Sequence, residues 1–384
     1  MRHHNSVFHS VLKHLPWHRF ERLVDEHQAD KHVRSLTTKS QLIALIYGQL
    51  SGARSLREIE GALGSHATKL YHLGAEEAKR STLSDANRLR PWQVFSGVFA
   101  DLVGQLTRSQ KRQIGEAVHL IDATGLRLSG LSKDWARFSA GVCGVKMHVI
   151  FDPDANCPIY AAVTPANVND ITAAKAMPID PGATYVFDLG YYDYGWWAKL
   201  DLAGCRIVTR LKANTKLGVV AENAVENGSN ILSDRIGHLP PRMARNRKNP
   251  FQDPVREVRV KIETGKVLRI LTNDLDAPAS EIADLYKRRW QIELFFRWVK
   301  QTLKIKHFFG RSENAVRIQI TVALITFLLL RLAHSTQHTV PGLLAFARLV
   351  RANLMHRRPL ENLLRPLSPV IKDKRQMSFE LCQI

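Results

Sequence analysis

The sequence predicts an α/β fold with a mixed sheet, and three features predict it. Between about 116 and 211, short apolar runs alternate with short helical segments, the texture of helices layered on a sheet. Residues 1–110 carry only helical spacing, so an all-helical region precedes the sheet. Residues 213–278 hold Asn, Gly, Pro and basic clusters around one clear hairpin, a β-rich insertion after which a long helix resumes.

From the N-terminus, residues 38–50 place Leu42, Ile43, Leu45, Ile46 and Leu50 at helical spacing. Ser55-Leu56-Arg57-Glu58 is a capping box, in which hydroxyl and carboxylate each satisfy a backbone N–H, and Gly64 is the expected stop. Residues 81–90 are polar and basic, and Pro91 restarts a helix through Leu106. This region suits a helix-turn-helix-like DNA-binding unit and equally a generic helical cap. Strands are expected at 118–122, 144–151, 158–163, 185–187 and 205–211, with helices at 170–177 and 196–202. In the insertion, Val258, Val260 and Ile262 alternate with Arg259, Lys261 and Glu263, and Thr264-Gly265 supplies the turn. Arg242, Arg245, Arg247 and Lys248 form its basic cluster. Ser280 is the expected N-cap of a helix running to about Lys304, with Glu281 and Asp284 in its first turn. Helices then continue through a C-terminal region, 336–384.

The charge balance narrows the partners. The 384 residues hold 55 Lys+Arg against 35 Asp+Glu, a formal charge of +20, which attracts polyanions: nucleic acid first, an acidic membrane surface second. Cys143, Cys157, Cys205 and Cys382 form no C-x-x-C pair, so no zinc or dithiol motif is written, and scattered thiols fit a reducing cytoplasm. The N-terminus lacks a signal-peptide core, and the apolar run 322–330 is too short to span a bilayer; a buried core helix is expected there, and no membrane partner. Seven histidines in the first 32 residues have no ligand spacing and are expected on solvated helix faces.

Three carboxylates stand out by context. Asp122 and Asp188 each follow an apolar strand, where α/β sheets place their sites. Most such carboxylates are merely solvated or capping. Glu293 lies inside the long helix, with Tyr286, Arg289 and Lys300 at helical spacing on its face, while Leu285, Ile292, Phe295, Val299 and Leu303 form the apolar face. A lone Glu amid Arg288, Arg289, Arg297 and Lys300 stays ionised, and the cations are placed for phosphates. Arg210 and Lys212, closing the last strand before the insertion, are candidate DNA-backbone contacts or a solvated strand end. Trp196 and Trp197 are candidates for stacking on bases, with core packing favoured.

Residues 286–300, Tyr-x2-Arg-x3-Glu-x6-Lys without a gap, resemble the YREK signature of bacterial insertion-sequence transposases in the DDE superfamily. Asp188-Leu189-Gly190-Tyr191 is similar to that family's D-x-G-Y, and Asp122-Ala123-Thr124 to its D-[AS]-T. Lys146, His148 and Asp152 match a frequent K-x-H-x3-D. Asn169-Asp170 stands where the family often has His-Asp, which leaves Asp170 without an assigned role. The resemblance covers about 115–335.

The resemblance implies an RNase H-like core, a five-stranded mixed sheet with flanking helices, as a catalytic domain over 111–335 interrupted by the insertion 213–278. Residues 1–110 would be a helical DNA-binding domain. Asp122, Asp188 and Glu293 would hold two Mg²⁺ ions, with Mn²⁺ able to substitute; Tyr286, Arg289 and Lys300 would contact phosphates. The implied reaction is cleavage of DNA at element ends and attack of the freed 3′-OH on target DNA. The implied partners are double-stranded DNA, both inverted-repeat ends and target, and a second copy of the chain as a homodimer on DNA, in the bacterial cytoplasm at the nucleoid. An RNase H-like nuclease without strand transfer, or an inactive DNA-binding descendant, are the alternatives.

Overall fold

A computed structural model describes residues 5–110, 117–139, 141–226, 228–242, 247–303, 305 and 307–365. Cys382, Arg245, Lys304 and the end of the C-terminal region lie outside them. The first part is helical: α1 (Val7–Leu12), α2 (Trp17–Glu26), α3 (Thr38–Ser51), α4 (Leu56–Gly64), α5 (Ala67–Leu70), α6 (Arg80–Leu89) and α7 (Trp92–Gln110). Ser55 caps α4 by accepting from Glu58 N at 3.2 Å, and Gly64 ends it. The reciprocal bond of the box is shifted by one residue, since Glu58 accepts from Arg54 N at 2.9 Å.

The sheet region follows as β1 (Val118–Leu128), α8 (Lys133–Ala136), β2 (Arg137–Ser139), β3 (Val142–Asp152), β4 (Cys157–Pro165), α9 (Asp170–Ala174), β5 (Thr184–Phe187), α10 (Tyr194–Leu202) and β6 (Arg206–Arg210). Next come β7 (Gly218–Asn223), β8 (Ile231–His238), β9 (Val255–Lys261) and β10 (Val267–Thr272), then α11 (Ala279–Arg288), α12 (Trp290–Thr302), α13 (Glu313–Ser335) and α14 (Leu343–Asn353). β1 pairs antiparallel with β3 and parallel with β5, and β5 parallel with β6, so the sheet is mixed.

The expected strands between 118 and 211 appear as β1, β3, β4, β5 and β6, but the sheet does not stop at five. β10 pairs antiparallel with β6, Ile270 opposite Arg210, and β9, β8 and β7 follow in turn. The insertion therefore extends one ten-stranded sheet. The hairpin turn falls where expected, with Gly265 at φ +80°. β1 is longer than its apolar run predicts, because β3 carries its pairing on to Leu128↔Cys143. β2, β7 and β8 have little apolar alternation to announce them; all of β2 and β7 is exposed.

Strand alternation divides the core between the two faces of the sheet. Leu120, Val149 and Phe151 join one apolar cluster with Phe295, Val299 and residues of α3, α7, α13 and α14. Ile121, Ile150 and Phe187 join the other, with Trp196, Trp197 and Leu200. α13 corrects the membrane argument: it has 23 residues, long and apolar enough to cross a bilayer by length alone. Its apolar surface is instead covered by protein, with Val322 through Leu330 all buried. Cys143, Cys157 and Cys205 are buried free thiols. His18, His27 and His32 are exposed, whereas His9 and His14 are half-buried, and burial lowers the pKa of both.

Candidate active site

The parallel register Ile121↔Phe187 makes the next residues, Asp122 and Asp188, neighbours at the point where β5 ends. There β1 is flanked by an antiparallel strand on one side and a parallel strand on the other, the kind of switch point that opens a crevice at strand carboxyl ends. Asp122 Oδ1 accepts from Ala123 N at 2.8 Å, and Asp188 Oδ1 from Gly190 N at 2.8 Å. α12 packs on β1 and brings Glu293 to the same face. One guanidinium ties the two elements: Arg289 Nη1 stands 3.5 Å from Asp122 Oδ2, and Nη2 2.5 Å from Glu293 Oε1.

The expected single helix is interrupted here. α11 ends at Arg288 and α12 begins at Trp290, with Arg289 between them. Arg289 N bonds Tyr286 O and Ile292 N bonds Arg289 O, three-residue steps that tighten the joint. The helical face nevertheless survives, since Arg289 also lies 5.9 Å over the Tyr286 ring. Ala279 starts the helix behind Pro278 rather than Ser280, and no side-chain cap is made. Lys300 sits two turns beyond Glu293, half-buried in the last turn of α12.

Spacing alone does not reveal the polar support behind the carboxylates. Lys146 Nζ lies 3.0 Å from Asp170 Oδ1 and also donates to Val168 O at 3.0 Å. His148, wholly buried on β3, holds Thr164 at 2.8 Å and stands 3.9 Å from Asp170. A Cβ on Gly190 would lie 3.0 Å from Asp188 Oδ1 and 3.4 Å from Asp170 Oδ2. A side chain at the glycine of D-x-G-Y would therefore press on the Asp188 carboxylate, and Asp170, left without a role by the sequence, lies beside Asp188. Its signal was the Lys146 and His148 pattern on the neighbouring strand.

Arg210 approaches Tyr286 closely enough to oppose the rise in its pKa, which burial drives. Lys212 has its Nζ 4.3 Å over the Tyr192 ring. Trp196 and Trp197 are core: both are buried, and Trp197 Nε1 donates to Tyr191 O at 3.0 Å.

Comparison with known proteins decides the family. The transposase DDE domain matches residues 114–329, more than half the chain. The chain belongs to the DDE transposase family. A domain of unknown function matches residues 3–76 of this transposase. It is 41% identical over 284 residues, 74% of this chain and 80% of the other, to a putative transposase, y4zB, of Sinorhizobium fredii. It is 27% identical over 78% of both chains to a probable transposase for insertion sequence element IS5377 of Geobacillus stearothermophilus. A putative transposase for insertion sequence element IS4SA of Synechocystis is 26% identical over 69% of this chain and 74% of its own length.

The electrostatics around these carboxylates suit a cation. Burial raises Asp122 to about 6, and Asp188 and Glu293 add repulsion that the Ala123 N–H and Arg289 only partly offset. Tyr191, buried with no hydrogen-bond partner for its hydroxyl among the described residues, is pushed well above 10, first by burial and then by Asp122, Asp170 and Asp188. Members of the family use divalent metal ions, and crowded carboxylate oxygens are the donors hard divalent cations take. Among the described residues, no three carboxylates, histidines or cysteines stand close enough to enclose an ion. In this arrangement Arg289 bridges two of the carboxylates.

A carboxyl whose folded pKa exceeds its unfolded value favours folding while protonated. That contribution is complete below about 3.8 and is lost as pH rises through about 6. In EDTA, Asp122→Asn is therefore expected to stabilise the metal-free transposase at pH 7–8 by on the order of 2 kcal/mol and to flatten its stability between pH 4 and 7. Thermal or urea melts across that range check this; parallel curves for both proteins would refute it.

Proposed function

We propose that this transposase moves an insertion sequence by cut-and-paste, hydrolysing DNA strands at the element ends and joining the freed 3′-OH to target DNA. The observation that carries the reading is the meeting of Asp122, inside β1, with Asp188, just past the end of the parallel strand β5, and Glu293 drawn to Asp122 through Arg289. In this reading Asp122, Asp188 and Glu293 are the metal-binding carboxylates. When bound, a pair of Mg²⁺ ions supplies activation of the attacking oxygen and stabilisation of the leaving oxygen. Mn²⁺ substitutes as a similarly hard ion.

The chain's own residues do the remaining work. Lys146 and Gly190 hold Asp170 and Asp188 in place. Arg289 holds Asp122 and Glu293 together; with a cation bound by those carboxylates, its guanidinium would be free to hold a DNA phosphate. Tyr286, Arg210 and Lys300 extend that contact along the backbone, and Lys212 offers a more distant one. Strands β4-β3-β1-β5-β6 correspond to the five-stranded RNase H-like sheet of a catalytic unit over 111–335. The helices within 1–110 form the DNA-binding region, and a homodimer holds the two element ends, in the cytoplasm at the nucleoid.

The test is a plasmid carrying the gene with its genomic flanks, incubated with purified protein. Mg²⁺-dependent cuts at both element boundaries, followed by insertion into a second plasmid, are expected. Cuts without insertion would reduce the protein to a nuclease, and no cuts would remove the proposal.

A further inference from the structure

We propose that the arginine-lined cleft between α4, α6 and the α12–α13 connection grips the phosphate backbone of the same DNA duplex whose strand reacts at Asp122, Asp188 and Glu293. The inference rests on the transposase reading and extends it to a second contact. The cleft encloses ≈ 580 Å³, and Arg54, Arg57, Arg80, Arg88 and Arg311 line it, with no carboxylate among the described residues of its wall. All five are exposed. Arg88 alone has an acidic partner, Asp85 at 3.2 Å; the other four guanidiniums make no ion pair among the described residues. Phe308 and Phe309 form an apolar wall beside them.

That arrangement is costly without an anion. Like charges around one cleft repel, and the nearest acids, Glu58 and Glu313 in the first turns of α4 and α13, stand at the helix N-termini on its rim and not in its lining. A single phosphate monoester supplies at most ≈ −2, so five guanidiniums call for a polyanion.

Continuity with the active site favours duplex DNA. A second cavity of ≈ 400 Å³ shares the wall Phe308–Arg311 and adds Arg127, Ser129, Ser132 and His307. Arg127 lies on β1, five residues beyond Asp122, about 17 Å along an extended strand. Strand alternation turns Arg127 to the opposite face of β1 from Asp122, so it marks the distance between the two places and not an unbroken basic track. A B-form duplex presents a charge every ~1.7 Å of its axis, and one several turns long spans that distance and offers phosphates to the cleft. The α12–α13 connection that walls the cleft is also the continuation of the helix bearing Glu293, so one segment serves both contacts.

The test is binding of a labelled duplex several turns long by the full chain, without metal, across a range of salt. Arg57→Ala/Arg80→Ala/Arg311→Ala is expected to flatten the slope of log affinity against log salt by about 2.7, near 0.9 per lost phosphate contact. The matching triple Lys variant, which keeps the charges, retains the wild-type slope. Equal slopes for wild type and the Ala variant overturn the proposal. So does an unchanged DNA slope combined with loss of poly-glutamate binding, which assigns the cleft to an acidic protein partner. The measurement needs binding alone, so a wild-type chain that binds but fails to cut its plasmid tells against the transposase reading and leaves the cleft standing.

Discussion

Asp122→Asn, Asp188→Asn and Glu293→Gln are each expected to lower metal-dependent DNA cleavage by at least about 10³-fold, because bound divalent ions supply several kcal/mol of transition-state stabilisation at ~1.4 kcal/mol per decade. Each substitution removes a charge while keeping size and shape. None of the three is a large apolar core residue: Asp122 side-chain exposure is 19% and that of Glu293 32%. The fold should survive, and duplex affinity should stay within about threefold, since most of it comes from basic side chains elsewhere. Gel analysis of plasmid cleavage beside anisotropy binding separates the two effects. Cleavage near wild-type level in any one variant would remove that residue from the catalytic set.

The largest loss of stability is expected far from the carboxylates. Asp234 on β8 and Arg256 on β9 form an ion pair with both side chains almost wholly buried, 3% and 5% exposed, with bonds of 2.8 and 2.6 Å. The Asp234 hydrogen bond is the chief reason the Arg256 guanidinium's pKa is raised. Arg256 also donates to Leu275 O and Ala277 O, fixing the approach to α11. Asp234→Ala leaves that guanidinium buried and unpaired, and about 3–5 kcal/mol of unfolding free energy should be lost. Replacing both partners, Asp234→Leu with Arg256→Met, should cost much less, because no stranded charge remains. Urea unfolding of the two variants gives the comparison; equal losses would show that packing rather than charge sets the cost.

How much of this was legible in sequence depends on what each residue answers to. β5 and β6 are short apolar runs buried between layers, so hydrophobicity alone exposes them. Asp188 was legible for the same reason, as a polar residue closing the apolar β5. Asp122 stood out at the end of an apolar run, but pairing with β3 carries β1 six residues past it, so it lies inside the strand and not at its end. The 286–293 face was legible because helical periodicity is local. β7 was not, since its six residues are all exposed and only pairing with β8 defines it. The break at Arg289 was not legible either: nothing in Arg-Arg-Trp-Gln disfavours a helix. Asp170 became visible only when β3 and the α9 turn were brought side by side. The arginine cleft joins residues more than 220 positions apart, and no local pattern links Arg80 to Arg311.

Positions 122, 188 and 293 are expected to share divalent ions, and anomalous diffraction from crystals of the transposase soaked in Mn²⁺ would locate them. Two manganese peaks ~3.5–4 Å apart, bounded by the Asp122, Asp188 and Glu293 carboxylates with Arg289 displaced, are the expected result. Manganese bound elsewhere, with Arg289 still bridging Asp122 and Glu293, would contradict it.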